Sequence, residues 1–361
     1  MSPLPPPPGG IARWTRVVTQ YAETCDTTDL AVINTALRWR TVQQNSTLAR
    51  LAAGAPQILS CATALLRAAL RRDVDVLHIN TSAQFSIVRD LVLAVLARFL
   101  RIPVVYHLRF GRMPEVAERR GAEWRGLRMV MRLSEHVIAI DQRTEQVVRG
   151  MLPPDRVTRI PNCIDIKATT QSAPAGQSAT APYVLFVGWV VPAKGVEELF
   201  SAWHQVESAG WRLVVAGPYD EAYLDSVDTR PGADDSVDLL GEVPHSRILE
   251  LMAGAELLVL PSHTEGFPNA VLEAMTLGRC VLATDVGAIG EMLGEGCGVL
   301  VPPRDTNALR DALAILLTDP GMRQTLGERA RAKAAAEYSL ERCFERYRDL
   351  WARAAGNRRR P

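Results

Sequence analysis

The stretch Pro261-Ser-His-Thr-Glu-Gly-Phe-Pro-Asn-Ala-Val-Leu-Glu-Ala-Met275 contains two glutamates, Glu265 and Glu273. One apolar segment precedes this stretch and another follows it, which predicts a strand, a loop, a helix and a second strand. Glu265 then lies on the loop at the carboxyl end of a strand, where ligands of open parallel sheets bind. Pro268 suits the first helical position, where a missing N–H costs nothing, and Glu273 falls in the second turn.

The start of this predicted helix favours an anion, because its first N–H groups have no partners within the helix. The two carboxylates beside it are suited to accept hydrogen bonds from hydroxyl groups. Together these features predict a ligand in which a sugar is joined to a phosphate.

Strand-like and helix-like segments alternate along the chain, which predicts two doubly wound α/β domains with parallel sheets. Strands are predicted at 30–34, 74–80, 104–108, 136–140, 157–160, 183–187, 211–216, 237–240, 257–260, 281–283 and 298–301. Helices are predicted at 46–71, 84–100, 115–134, 142–150, 195–208, 245–253, 268–277, 306–317, 320–336 and 340–355. The polar, proline-spaced segment between the two halves predicts a flexible linker at 167–181. The domains are therefore expected at 1–166 and 182–338.

The composition is typical of a soluble globular protein, with 47% hydrophobic and 22% charged residues in 361. The six cysteines are scattered without a Cys-x-x-Cys pair, which argues against a zinc site and fits a reducing cytoplasm. The amino terminus lacks a signal peptide pattern. The most apolar stretch, 91–105, contains two arginines and is shorter than the roughly 20 residues of a spanning helix.

Positive charge is concentrated in the first half of the chain. Residues 1–165 contain 22 Lys and Arg against 14 Asp and Glu, with a dense run between positions 109 and 132. Such a run can steer anionic partners or contact an anionic membrane leaflet, or it can be a solvated helix face paired with Glu115, Glu118 and Glu123. The near-neutral pI of 7.7 and the absence of a helix-turn-helix or stacking pattern argue against nucleic acid.

Three further positions are candidates for the site. Gly9-Gly10-Ile11 precedes a helical stretch. Its backbone N–H groups either approach a phosphate closely, or the segment is an ordinary turn. Lys194 follows the strand at 183–187 and is either a point charge for a diphosphate or a solvent-exposed side chain. His107, at the end of the strand at 104–108, either contacts a sugar hydroxyl or phosphate or has a structural role.

In these residues the sequence resembles the retaining glycosyltransferases of family 4, which have the GT-B fold. The match rests on Glu265-Gly-Phe-Pro-Asn-Ala-Val-Leu-Glu273, with support from four weaker motifs in the expected order. Those motifs are 9–11, 160–165, 194–195 and 286–291. The resemblance implies two Rossmann-like domains facing across a cleft, with a last helix at 339–356 that returns to the first domain.

The resemblance also implies a role for each matched residue. Glu265 would bind hydroxyls of the donor sugar, Glu273 the ribose, and Lys194 the diphosphate. The catalytic residues that it implies are Glu265, His107 and Lys194. The donor-binding residues that it implies are Gly10, Gly188, Lys194, Glu265, Gly266, Phe267, Pro268, Asn269 and Glu273.

The implied reaction moves a hexose from a nucleotide diphosphate sugar to a glycan or lipid-linked acceptor. UDP is favoured over GDP as the nucleotide of the donor. The anomeric configuration is kept, and no bound metal or other cofactor is expected. The implied setting is cell-surface polysaccharide synthesis, in the cytoplasm or at the inner face of the cell membrane. Two alternatives remain: a nucleotide-sugar epimerase, and an inactive sugar-nucleotide-binding or scaffold protein.

The sequence departs from the family at two places. Trp189 stands where the family has an arginine after the first strand of the second domain, so one diphosphate cation is replaced. Only Met1-Ser-Pro-Leu4 precedes the proline run, where the family has an apolar strand, and proline cannot donate to a central strand. The hypothesis is that the true start lies upstream and that the first strand is missing.

Overall fold

The computed structural model describes residues 1–4, 10–25, 28–36, 47–173, 181–208, 210–227 and 235–358. The chain divides into two compact units. The first unit is Met1–Asn162 together with Glu341–Pro361, and the second is Cys163–Leu340. Both are α/β units with parallel sheets, as the alternating sequence pattern predicts.

The first unit contains a four-stranded parallel sheet in the order β1-β2-β3-β4. Its strands are β1 (Leu77–Thr81), β2 (Val104–Leu108), β3 (His136–Ala139) and β4 (Val157–Arg159). Its helices are α1 (Gly10–Ala22), α2 (Thr47–Arg71), α3 (Ser86–Phe99), α4 (Met113–Arg119), α5 (Ala122–Leu133) and α6 (Gln142–Arg149). Every residue of β2 is buried, as expected for a parallel strand covered on both faces.

The prediction of a single helix at 115–134 is wrong, because the structure has two helices there, α4 and α5. Arg120 has a left-handed backbone with φ of 49°, and this conformation ends α4. Gly121 follows in an extended conformation and precedes α5. The amphipathic pattern continues through the break, so periodicity alone did not reveal it.

The predicted strand at 30–34 is reduced to one parallel bridge between Ser2 and Asn34. The Ser2 N–H donates to the Ile33 carbonyl at 3.2 Å, and the Ser2 carbonyl accepts from the Thr35 N–H at 3.1 Å. The Met1 carbonyl accepts from the Asn80 N–H of β1 at 3.1 Å. Met1 and Ser2 therefore make strand-type hydrogen bonds on both sides, ahead of the proline run.

The second unit contains a six-stranded parallel sheet in the order β10-β9-β8-β5-β6-β7. Its strands are β5 (Tyr183–Val187), β6 (Arg212–Ala216), β7 (Val237–Gly241), β8 (Leu257–Leu260), β9 (Cys280–Thr284) and β10 (Val299–Val301). Its helices are α7 (Ile166–Gln171), α8 (Val196–Gln205), α9 (Glu221–Asp225), α10 (His245–Gly254), α11 (Asn269–Thr276), α12 (Ile289–Leu293), α13 (Thr306–Thr318) and α14 (Pro320–Glu337). The last helix of the chain, α15 (Leu340–Arg358), belongs to the first unit from Glu341 onward.

The strand order locates a switch point in the second sheet. The chain runs outward from β5 through β6 to β7 and then returns, so that β8 pairs with the other side of β5. In open α/β sheets, ligands bind at the carboxyl ends of the strands where the order reverses. The loops that follow β5 and β8 are therefore the expected site of the second unit.

The segment predicted as a flexible linker at 167–181 is partly helical, because 167–171 belong to α7. The Asp165 carboxylate caps this helix by accepting the Ala168 N–H at 2.9 Å, which is the usual role of aspartate before a helix. Residues 174–180 lie outside the described part of the chain.

Candidate active site

The loops after β5 and β8 meet at the switch point through an ion pair. Lys194 lies in the turn between β5 and α8, and Glu265 lies in the loop between β8 and α11. Lys194 Nζ is 2.5 Å from Glu265 Oε1. Ser262 Oγ donates to the same carboxylate oxygen at 2.8 Å. An ammonium group and a hydroxyl therefore fix the position of the Glu265 carboxylate.

Gly195 allows the two loops to approach each other closely. Its φ is 66°, and a Cβ built on it would lie 2.0 Å from the Pro261 carbonyl oxygen. The contact is reinforced where the His263 N–H donates to the Ala193 carbonyl at 2.9 Å. A side chain at position 195 would separate the loops and with them the Lys194–Glu265 pair.

The loop after β9 supports Glu265 from the other side. Gly287 has φ of 56°, and a Cβ there would lie 2.2 Å from the Glu265 carbonyl oxygen. The Ala288 N–H donates to the Gly266 carbonyl at 2.9 Å. The glycine motif at 286–291 therefore contributes close backbone packing against Glu265 and Gly266.

The predicted donor-binding residues around Glu265 have distinct environments. The Glu265 side chain is 11% exposed, while the Phe267 side chain is buried against the Tyr338 ring at 5.4 Å. Pro268 precedes α11 as its cap residue, so the helix begins one residue later than predicted, at Asn269. A Cβ at Gly188 would lie 4.0 Å from Lys194 Cε, which places residue 188 beside the ion pair.

Glu273 is positioned differently from Glu265. Its side chain is 4% exposed, and His245 Nε2 lies 3.2 Å from its Oε1. His245 is the first residue of α10, near the carboxyl end of β7. Neither His245 nor Ser262 was predicted as a site residue from the sequence. The signal for His245 was present, because it follows Pro244 at a helix start beyond a strand end.

His107 belongs to the first unit, where β2 places it in a fully buried aromatic cluster. Its Nδ1 is 3.2 Å from His78 Nε2, and its ring packs edge-on against Trp14 at 5.6 Å. Burial lowers the pKa of His107 well below its usual range, and the nearby Arg109 guanidinium acts in the same direction. His107 is therefore neutral at physiological pH.

The remaining predicted residues lie in different settings. Gly10 is the exposed first residue of α1, while Gly9 lies outside the described residues. Trp189 follows β5, and 65% of its surface is exposed. The structure thus brings Lys194, Glu265 and Gly188 together in the second unit and assigns His107 and Gly10 to the first.

The arginine run at 109–132 is not a single solvent-facing group. Arg109 is buried, with its guanidinium 4.3 Å from the centre of the Trp14 ring. Arg112 forms an ion pair with Glu123 at 2.6 Å, which agrees with the alternative of paired charges on a helix. These two arginines therefore have partners within the first unit.

The described residues contain no group of three or more His, Cys, Asp or Glu side chains arranged to hold a metal ion. In the same part of the chain, no helix is both long and apolar enough to cross a membrane.

The sequence matches two family profiles that together cover most of the chain. Glycosyl transferases group 1 matches residues 168–333, and Glycosyltransferase Family 4 matches residues 30–168. The first match contains the whole loop system around Lys194 and Glu265.

Several proteins similar in sequence to this chain are named as glycosyltransferases. The α-D-kanosaminyltransferase of Streptomyces kanamyceticus is 29% identical over 61% of this chain and 60% of its own length. A GDP-mannose-dependent monoacylated α-(1-6)-phosphatidylinositol monomannoside mannosyltransferase of Corynebacterium glutamicum is 28% identical over 53% of this chain and 55% of its own. The chain thus matches little more than half the length of these relatives. The crystal structure of Anabaena HepE with UDP has a TM-score of 0.67 at 21% identity, covering 82% of both chains.

Two parallel-sheet units of this kind, with a charged loop system at a switch point, define an α/β protein with the GT-B fold. The chain belongs to the group 1, family 4 glycosyltransferases. The fold class and the family resemblance inferred from the sequence are therefore confirmed.

Proposed function

We propose that this chain is a retaining glycosyltransferase that moves a hexose from a nucleotide diphosphate sugar to a glycan or lipid-linked acceptor. The observation that carries this proposal is the Lys194–Glu265 pair at the switch point. A cation for a diphosphate and a carboxylate for sugar hydroxyls lie next to each other there. That juxtaposition matches a sugar joined directly to a phosphate.

The ion pair has two states, one without the donor and one with the donor bound. Without donor, Lys194 and Glu265 neutralise each other at 2.5 Å. When the donor binds, its diphosphate takes the Lys194 ammonium, and the first N–H groups of α11 add partial positive charge. Glu265 then accepts hydrogen bonds from the sugar, while Ser262 keeps the carboxylate oriented. Lys194 thereby exchanges one ionic partner for another, and the Glu265 carboxylate exchanges its ionic partner for hydrogen bonds from hydroxyl groups, so that neither charge in this partly buried site is left without a polar partner.

The bonds and protons of the proposed transfer balance without a protein nucleophile. The bond between the anomeric carbon and the leaving phosphate oxygen breaks, and a bond to the acceptor oxygen forms on the same face. The acceptor hydroxyl gives its proton to the leaving phosphate. Glu265 therefore positions the sugar, in contrast to the nucleophilic carboxylate of a retaining glycosidase. Rate enhancement comes from alignment and charge stabilisation, and Lys194 provides that charge without a metal.

We propose UDP as the nucleotide and cell-surface polysaccharide synthesis as the setting. Support for UDP comes from HepE, which has the same fold and was solved with UDP. The Corynebacterium relative is named for GDP-mannose and a phosphatidylinositol mannoside acceptor, so GDP is the alternative that an experiment must include. Its acceptor also makes a lipid-linked acceptor a reasonable choice for this chain.

For contact with an anionic membrane at the cytoplasmic face, we propose the outer face of α3. Val88, Val92, Val95 and Phe99 recur at helical spacing along it, and all are exposed, Phe99 to 82%. The neighbouring helix α2 packs against α3 and exposes Leu59, Leu66 and Leu70. The exposed arginines Arg98 and Arg101 lie at the end of this apolar face. Apolar side chains next to arginines favour an anionic lipid surface.

Nucleotide release tests the function directly. Purified protein is incubated with UDP-hexoses and GDP-hexoses, with and without a glycan or lipid-linked acceptor. A transferase releases nucleoside diphosphate in proportion to the acceptor glycosylated. Conversion of the donor without an acceptor would indicate an epimerase. Binding of the nucleotide without either reaction would indicate a scaffold.

A further inference from the structure

A cavity of about 580 Å³ lies within the second unit, at the amino-terminal edge of its sheet. It is lined by α7, by α14, by the end of α10 and by the turn between α11 and β9. Helices α10 and α11 end there, and the strands that follow them begin there. Lys194 and Glu265 follow the carboxyl ends of parallel strands, so the cavity is at the opposite edge of the sheet from that pair.

Two glycines bring α14 close to the turn that follows α11. Gly278 comes after the end of α11 and has a left-handed φ of 67°. A Cβ built on Gly327 of α14 would lie 2.2 Å from the Gly278 carbonyl oxygen, so the two backbones could not approach this closely with a side chain there. Arg331 lies one turn after Gly327, and its Cδ is 3.6 Å from the position of a Cβ on Gly278. The packing of the two glycines therefore places the Arg331 side chain beside the turn that leads to Arg279.

Two guanidinium groups, those of Arg279 and Arg331, line this cavity. The Nε of Arg279 donates to the Leu277 carbonyl at 3.2 Å, and its Nη1 donates to the Ala255 carbonyl at 3.3 Å. These bonds hold the Arg279 guanidinium in place by the backbone alone. Among the residues that the structure describes, no carboxylate forms an ion pair with Arg279 or Arg331. Two uncompensated positive charges on one cavity favour an anion between them.

The rest of the cavity wall offers hydrogen-bond acceptors and small apolar side chains. The Thr170 hydroxyl donates to the Ile166 carbonyl at 2.7 Å, and the Thr276 hydroxyl donates to the Leu272 carbonyl at 2.8 Å. Each hydroxyl oxygen can still accept a hydrogen bond from a ligand. Alanine side chains of α10 and α14 line much of the remaining wall, and the volume is in the range of small-molecule sites. The cavity is therefore suited to an anion with a hydroxyl-bearing body.

We propose that this cavity binds a small phosphate monoester of a polyol or sugar. The phosphate group lies between Arg279 and Arg331, because the planar guanidinium group matches the spacing of phosphate oxygens. The hydroxyl groups of the ligand donate to Thr170 and Thr276. This site is separate from the proposed donor site, and it does not depend on the transfer reaction.

Calorimetric titration with glucose 6-phosphate tests the site. The protein is first saturated with UDP, which occupies the proposed donor site, in a buffer without phosphate. We expect one molecule of glucose 6-phosphate to bind, and the same affinity without UDP. Arg331→Met keeps a long unbranched side chain and removes the guanidinium, so binding should weaken about tenfold or more. The matched control is Arg329→Met, which changes an exposed arginine of the same helix outside the cavity and should bind as the wild type does.

Two further titrations separate the phosphate from the body of the ligand. Inorganic phosphate should bind more weakly than glucose 6-phosphate, since it has no hydroxyl-bearing body to meet the threonines. Thr276→Val keeps the shape of the side chain and removes the hydroxyl, so it should weaken binding of glucose 6-phosphate and leave that of inorganic phosphate unchanged. A thermal melt verifies that each variant is folded.

Three results would overturn the inference: no binding of glucose 6-phosphate to the wild type, equal affinity of the wild type and Arg331→Met, or inorganic phosphate bound as tightly as the monoester. The last result would show a simple anion site. If UDP itself does not bind, the proposed donor site fails, whereas the titration with glucose 6-phosphate still decides whether the cavity is a site.

Discussion

Lys194 Nζ lies 2.5 Å from Glu265 Oε1, although 71 positions separate the two residues in the sequence. They meet because β5 and β8 are neighbours at the switch point of the second sheet, and because Gly195 lets the following loops touch. Neither residue would have this environment if the strand order were sequential. The fold therefore creates the charge pair on which the proposed donor site depends.

We expect Glu265→Gln to lower kcat on the order of 100-fold, since interactions of this kind contribute about 3 kcal/mol to the transition state. The substitution keeps the size of the side chain and removes its charge. The measurement is initial rate with saturating donor and acceptor, beside a thermal melt that verifies folding. Glu250→Gln, an exposed glutamate of α10 paired with Arg247, is the matched control. If Glu265→Gln turns over as fast as the control, the Glu265 carboxylate has no role in the reaction.

Trp189→Arg should tighten UDP binding, by about threefold to tenfold. Residue 188 lies beside Lys194, so an arginine at the next position would add a second cation for the diphosphate, and charged hydrogen bonds are worth roughly 1.5–3 kcal/mol before solvent screening. Calorimetric titration with UDP gives the affinity. Trp189→Gln removes the indole without adding charge. If the glutamine variant gains as much as the arginine variant, the effect belongs to loss of the tryptophan and the electrostatic account is wrong.

The first unit should lose stability as the pH falls below about 6.5. His78 and His107 have folded-state pKa values well below the usual range because of burial. The unfolded chain therefore binds protons that the folded chain does not. This lowers the free energy of unfolding by up to about 1.4 kcal/mol per pH unit for each histidine. Hydrogen exchange of β1 and β2 amides at pH 7.5 and 5.5 measures the change. His107→Gln should reduce the loss by roughly 1 kcal/mol; an equal loss in both proteins would refute this assignment.

The double variant Val92→Asp/Phe99→Asp should lose most of its binding to anionic vesicles. Each change places a carboxylate on the apolar face of α3, which weakens both apolar insertion and attraction to anionic lipid. Co-sedimentation with phosphatidylserine-containing vesicles is the measurement. Ile315→Asp serves as the control, because Ile315 is an exposed apolar residue of α13 in the second unit. If the double variant binds these vesicles as the wild type does, the apolar face of α3 is not the membrane contact.

Much of the fold is predictable because buried parallel strands have a strong sequence signal. The bounds of β2, β5 and β8 agree with the prediction to the residue, since each is a short apolar run between polar segments. The short helices α7, α9 and α12 were missed, because five or six residues are too few for a helical period to be recognised. Their ends are fixed by local caps such as Asp165 and Asp220.

The candidate site was only partly predictable, for a different reason. Glu265 and Lys194 follow strand ends, and the rule for open sheets selects such positions. The contact of His245 with Glu273 and that of His78 with His107 become visible only in the structure, because each joins segments distant in sequence. Periodicity and spacing describe a residue's own element, whereas these partners depend on strand order and register.

The central claim is that Lys194 binds the diphosphate of the donor, and calorimetric titration of UDP tests it most directly. Lys194→Met should weaken UDP binding by about 10- to 100-fold, which corresponds to roughly 1.5–3 kcal/mol for a hydrogen bond to a charged group. Lys167→Met, at an exposed lysine of α7, should bind UDP as the wild type does. Equal affinity of wild type and Lys194→Met for UDP, and likewise for GDP, would contradict the account.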